Sequence, residues 1–172
     1  TAPERNWDDF KGVDLKGKIA VFLINDPDFE APAGAPVAGK FGGQAATYYA
    51  RWTYKYEEAA RRGAVGALII HEAPGAGYGW STVIASNGEG FDIVRADPAK
   101  EKVLLQGWLS GAAGRELLAA AGQDFDALKA KAQRADFAPV PLAGAAFSAS
   151  YGATHDQIVS RNVIGKITGA KL

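Results

Sequence analysis

The sharpest change of hydrophobic period along the chain falls between residues 51 and 72. Trp52, Tyr56, Ala59, Ala60 and Gly63 recur at i, i+4, i+7, i+8 and i+11, one stripe of a helix, while Lys55, Glu58, Arg61 and Arg62 lie off it. Thr53 is the expected cap. Arg61 and Arg62 suit the negative end of the helix dipole, and Gly63 supplies a left-handed residue to end the helix. Residues 65–70 then form a short apolar, β-branched run of the kind that is buried on both faces of a sheet. A helix feeding a buried strand through a tight glycine turn is half of an α/β unit, and this sets the expected fold class as α/β or α+β.

The remaining segments follow the same logic. Residues 1–17 read as a polar strap anchored by Trp7, Phe10 and Val13. Residues 18–24 form a second buried strand ending in the turn Asn25-Asp26-Pro27-Asp28. Residues 29–47, rich in Ala, Gly and Pro, read as a long exposed loop with Phe41 its lone large apolar residue. A second long loop covers 73–99, with Val83 and Ile84, then Phe91 and Ile93, marking short strands. Residues 103–109 give another strand. Ser110 caps a helix with Leu117, Leu118 and Ala121 on one face, ended by Gly122. Asp124 caps a further helix with Phe125, Leu128, Ala132 and Ala135 as its stripe, and Pro139 and Pro141 forbid its continuation. Ala143, Ala145, Phe147, Ala149 and Tyr151 alternate as in a half-exposed strand, and residues 162–167 predict a closing strand. No repeat and no shift of composition divides the chain, so 1–172 reads as a single domain.

Composition narrows the function. A chain of 172 residues buries roughly 70% of its unfolded surface, so it needs no staples. Lys plus Arg, 19, equals Asp plus Glu, 19, and no run of like charge marks a basic arm, so nucleic acid is not an expected partner. The absence of cysteine excludes disulfides, thiol catalysis and thiolate metal sites. The chain opens Thr-Ala-Pro-Glu and contains no methionine, which reads as a piece processed from something longer. No apolar run approaches the roughly 20 residues that span a bilayer, so no membrane role is expected.

Catalytic motifs fail one by one. His71-Glu72 lacks the second histidine of a zincin helix, and with His155 as its only companion no histidine-rich zinc centre can be assembled, so both read as structural or surface histidines. Glu57 and Glu58 point about 100° apart on a helix, and Glu58 reads as a solvated partner of Arg61 and Arg62. No Gly-x-Ser-x-Gly elbow is present, and the glycines at 75, 77 and 79 lead to Trp80 rather than to a phosphate-binding helix. Asp26, Asp28 and Glu30 alternate like the start of a calcium loop but lack its glycine, leaving a cation there as a weak candidate. What stands out is aromatic loading: Tyr48, Tyr49, Trp52, Tyr54 and Tyr56, then Tyr78 and Trp80. The spacing of Trp52 and Tyr56 favours core; Tyr54, Tyr78 and Trp80 are the expected exposed contacts.

The order of segments resembles a known family. Trp7 to Lys18 leading into an apolar strand, Asn25-Asp26-Pro27 at its end, Arg51-Trp52-Thr53-Tyr54-Lys55-Tyr56-Glu57-Glu58-Ala59-Ala60-Arg61-Arg62-Gly63-Ala64 into Gly66-Ala67-Leu68-Ile69-Ile70-His71, and the closing Asn162-Val163-Ile164-Gly165-Lys166-Ile167 are together similar to the protease-associated (PA) domain inserted in bacterial zinc aminopeptidases of the glutamate carboxypeptidase and transferrin receptor superfamily. The resemblance covers nearly the whole chain. It implies a swivelling, barrel-like sheet flanked by helices, with both ends leading into a peptidase domain outside this sequence. It also implies two zinc ions held by that other domain, a peptide substrate, and a periplasmic or secreted location. The family's ligand set begins with His-x-Asp, which neither histidine here matches, so the piece is expected to hold no cofactor and to hydrolyse nothing. Its implied role is a lid limiting access to the cleft, with Arg51, Trp52 and Tyr54 as substrate-facing residues; Tyr78 and Trp80 are added on exposure arguments alone. The rivals are a free-standing module for protein or carbohydrate using the same aromatics, and an enzyme in its own right. The latter would require a cleft with a strongly perturbed carboxylate or histidine.

Overall fold

The computed structural model describes residues 1–169. Three strands, β1 (Ile19–Leu23), β2 (Gly66–Ile70) and β3 (Leu105–Leu109), pair in parallel in that spatial order, with Ile19 opposite Gly66 and Gly66 opposite Leu105. Parallel neighbours require crossovers. The first runs through α1 (Trp52–Arg61), and the second through the short helices α2 (Ala73–Ala76), α3 (Trp80–Ile84) and α4 (Pro98–Glu101). After β3 the chain forms α5 (Gly111–Ala120) and α6 (Phe125–Ala132).

The sheet is the middle of three layers. Because successive side chains leave a strand on opposite faces, Ala20, Ala67 and Ile69 pack with Tyr56 and Ala59 of α1 and with Phe10 and Leu15 of the opening strap. On the other face, Ile70 packs with Leu118 of α5 and Phe125 of α6, joined by Val21, Leu23 and Leu109. β2 is buried at every position, as its unbroken apolar run requires. Gly63 ends α1 at φ 75°, and Ser110 and Asp124 cap α5 and α6 by accepting from the N–H of Ala113 (3.2 Å) and Ala127 (2.7 Å).

Several expectations need correction. The segment 29–47 is irregular but not an open loop. Phe41 is fully buried in a second cluster with Ala2, Trp7 and Val37, meeting Trp7 edge-on at 5.3 Å. Asp26 and Asp28 staple this segment. Asp26 accepts from the Thr47 N–H (2.9 Å), Asp28 accepts from Phe41 (2.8 Å) and Gly43 (2.9 Å), and Glu30 instead pairs with Lys129. Val13 is exposed, and Leu15 takes its place as an anchor. Thr53 does not cap α1; the cap position is Arg51, with no side-chain bond. Val83 and Ile84 lie in α3, and Phe91 and Ile93 in irregular chain. Residues 143–151 and 162–167 form no strand, so the sheet among the described residues is open and three strands wide, not a closed barrel. A strand pattern encodes which faces are apolar but names no neighbour to pair with.

Candidate functional site

The carboxyl ends of parallel strands are where α/β sheets expose loops, and ligands bind there as a rule. At this edge β2 runs directly into His71, whose N–H extends the ladder to the Leu109 carbonyl (2.8 Å). The His71 ring is buried, with Nε2 3.1 Å from the Tyr78 carbonyl oxygen. Around it stand Tyr78 (5.5 Å between ring centres), Trp80 (5.6 Å) and Trp108 (6.1 Å). Trp108 reaches Trp52 at 6.4 Å, and Trp52 meets Tyr56 at 5.8 Å. Tyr56 is buried and donates to the Gly107 carbonyl (2.9 Å), which ties α1 to β3; burial pushes its phenol well above the ordinary range. The result is a continuous aromatic edge across β2, β3 and the first turn of α1. The spacing that favoured Trp52 as core is corrected: the residue is 47% exposed, at the first position of α1.

A second aromatic cluster lies beside it. Tyr48, Tyr49 and Tyr54 form an edge-to-face triangle, with Tyr54 5.2 Å from Tyr48 and 5.1 Å from Tyr49 between ring centres and Tyr48 6.1 Å from Tyr49. Arg51 lies over Tyr48 (5.8 Å) and Arg61 over Tyr54 (5.3 Å). Tyr54 is only partly exposed; its hydroxyl donates to the Thr1 carbonyl (2.6 Å), and burial raises its pKa. The five residues singled out by sequence are therefore divided. Trp52, Tyr78 and Trp80 share the aromatic edge, whereas Arg51 and Tyr54 belong to the tyrosine cluster.

Between the two clusters, on α1, Lys55 donates to the Asn25 carbonyl (3.0 Å). Burial lowers its pKa to about 8, against the opposing pull of Asp26 and Asp9. Glu58 is buried, not solvated as the sequence implied, because the opening strap folds over it. It accepts from Arg61 (2.9 Å), Arg62 (2.8 Å) and Thr1 (3.3 Å). Burial pushes its carboxyl up, but the two guanidinium bonds win and hold it below the usual range.

Three participants escaped the sequence reading. The sequence pattern reads His71 as an ordinary histidine, Trp108 as one residue of a strand, and Lys55 as off the apolar stripe of the helix. The signals were a polar residue ending a fully apolar strand and a tryptophan at the last position but one of the next. His71 Nε2 faces a carbonyl within an aromatic shell, His155 lies exposed on irregular chain, and no three His, Asp or Glu side chains among the described residues come together. No helix among those residues is long and apolar enough to cross a membrane. No family model, no curated protein and no solved structure matches the chain.

Proposed function

We propose that this chain is a non-catalytic, protease-associated type lid of a zinc aminopeptidase, limiting access to the zinc cleft and contacting peptide substrate through its aromatic edge. The observation that carries the reading is the state of residues 162–167. Val163, Ile164 and Ile167 are 100%, 91% and 98% exposed, although their sequence has the two-faced apolar pattern of a buried strand. Such a segment calls for a partner outside the aromatic edge, as a lid joined to a second domain does and a free-standing module does not. The partner would be the peptidase domain of the same protein, which would hold both zinc ions, in a periplasmic or secreted enzyme. Barrel-like closure of the sheet would come from residues 143–151.

The aromatic edge supports the substrate-contact half of the proposal. Trp52, Trp80, Trp108 and Tyr78 offer rigid apolar area with few rotatable bonds, so gripping a peptide side chain costs little entropy. Closing over the cleft would exclude water and strengthen the electrostatics at the metals. The test compares the full-length peptidase with a version lacking this piece, across peptides of increasing length. Zinc content should be retained while size or side-chain preference changes; unchanged kinetics on every substrate would refute the lid role.

A further inference from the structure

Two buried carboxylates in the turn after β1 are only half satisfied. Asp26 and Asp28 are 7% and 2% exposed, and each gives one oxygen to backbone amides: Oδ2 of Asp26 accepts from Thr47, and Oδ2 of Asp28 accepts from Phe41 and Gly43. The other oxygen of each, Oδ1, is buried with no hydrogen-bond partner among the described residues. Such an oxygen is costly, since buried polar groups are hydrogen-bonded and buried charges are paired or bound to metal as a rule. The ammonium of Lys55 lies close to this turn, but it donates to the carbonyls of Asn25 (3.0 Å) and Tyr49 (3.4 Å) and reaches neither Oδ1.

We infer that Asp26 and Asp28 bind a calcium ion through their Oδ1 atoms, at the turn where β1 passes into the segment 29–47. The donor chemistry selects the ion. Carboxylate oxygens at Asp-x-Asp spacing are hard ligands, thiolates are absent from the chain, and no histidine joins the pair. Magnesium demands near-ideal octahedral geometry, whereas calcium accepts the irregular set that two anchored carboxylates, backbone carbonyls and water provide. The amide bonds at Oδ2 already fix both side chains, so binding orders little that was free. With only two charged ligands the affinity falls at the weak end of protein calcium sites, Kd about 10⁻⁴–10⁻³ M, the range of extracellular modules.

The ion locks the path into α1. Thr47, whose amide Asp26 holds, caps the single helical turn Tyr48–Ala50 by accepting from the Tyr49 N–H (3.2 Å), and that turn leads directly to Arg51 and Trp52. Phe41, held by Asp28, closes the second cluster against Trp7. Occupancy therefore stiffens residues 41–51 and steadies the start of α1. The site stands whether or not the chain serves as a lid.

Thermal unfolding of the full chain in calcium chloride, against magnesium chloride at the same ionic strength, tests the site. At about 10 mM calcium, at least tenfold above the expected Kd, Tm should rise by at least about 3 °C, and titration calorimetry should count one ion per chain. Asp26→Asn and Asp28→Asn each keep an acceptor for the backbone amides and put an amide nitrogen in place of the unpartnered oxygen. Each should bind calcium at least tenfold more weakly. Terbium, a calcium substitute, gives a second reading on the parent chain alone: Trp7, in edge contact with Phe41, should sensitise its emission, and calcium should displace it. No shift with calcium, an equal shift with magnesium, an equal shift in both Asn variants, or terbium emission that calcium leaves unchanged would overturn the site.

Discussion

Gly114 of α5 sits directly over Ile70 of β2, and the account of the sheet's α5 face predicts what a single methyl group does there. A Cβ at position 114 would lie 2.6 Å from Ile70 Cγ2, 2.9 Å from Cγ1 and 3.0 Å from Cδ1. Carbon atoms rest at about 3.5 Å or more, so the closest contact is short by about 0.9 Å. Ile70 is fully buried and β-branched, and cannot swing away without losing its rotamer. Replacing glycine by alanine inside a helix gains about 1 kcal/mol, whereas overpacking a dense core costs about 1–3 kcal/mol. The clash wins. Gly114→Ala should destabilise by up to about 2 kcal/mol, lowering Tm by up to about 4–8 °C for a chain of this size. Urea unfolding with an unchanged slope measures it. Ile70→Ala removes all three clashing atoms, so in that background Gly114→Ala should stabilise instead, a coupling of at least about 1 kcal/mol. Equal effects in both backgrounds, or a more stable single variant, would refute the packing of α5 on β2.

Three further predictions concern polar groups held by the fold. Lys55 titrates near 8 when folded and near 10.4 when unfolded, so between those values the unfolded chain binds more protons and stability must rise with pH. Urea midpoints from pH 7.5 to 9.5 should climb, and Lys55→Met should flatten that climb; a falling curve in the parent would contradict the buried ammonium. Glu58, held below the usual carboxylate range by Arg62 and Arg61, stabilises at neutral pH and loses that contribution as the pH falls below about 4. Glu58→Gln should cost about 1–2 kcal/mol at pH 7 and give a shallower acid limb. Asp28→Ala strips the acceptor from Phe41 and Gly43. It should cost about 2–3 kcal/mol and speed amide exchange at both positions; unaltered exchange there would deny the staple.

What the sequence made legible was local. The apolar runs of β1 and β2, the stripe of α1 ending at Gly63, and the caps Ser110 and Asp124 each carry their signal within a few residues. What it hid was contact between distant segments. Phe41 looked exposed because Trp7, its cover, lies 34 residues earlier by their numbering. Glu58 looked solvated because the strap that buries it is the chain's opening. The aromatic edge was half visible: Trp52, Tyr78 and Trp80 stood out by composition, but only the register of β2 and β3 brings His71 beside Trp108. Residues 143–151 and 162–167 have strand patterns without strands, since such a pattern specifies the apolar faces and leaves the partner open.

The central claim is that the aromatic edge faces peptide in a lidded peptidase, and Trp52 tests it most directly because its half-exposed ring can be removed at little cost to the core. In the full-length enzyme, Trp52→Ala should raise KM for long peptides severalfold while leaving zinc content, thermal stability and turnover of a minimal aminoacyl substrate as they were. Identical KM values on long and short substrates would contradict the account.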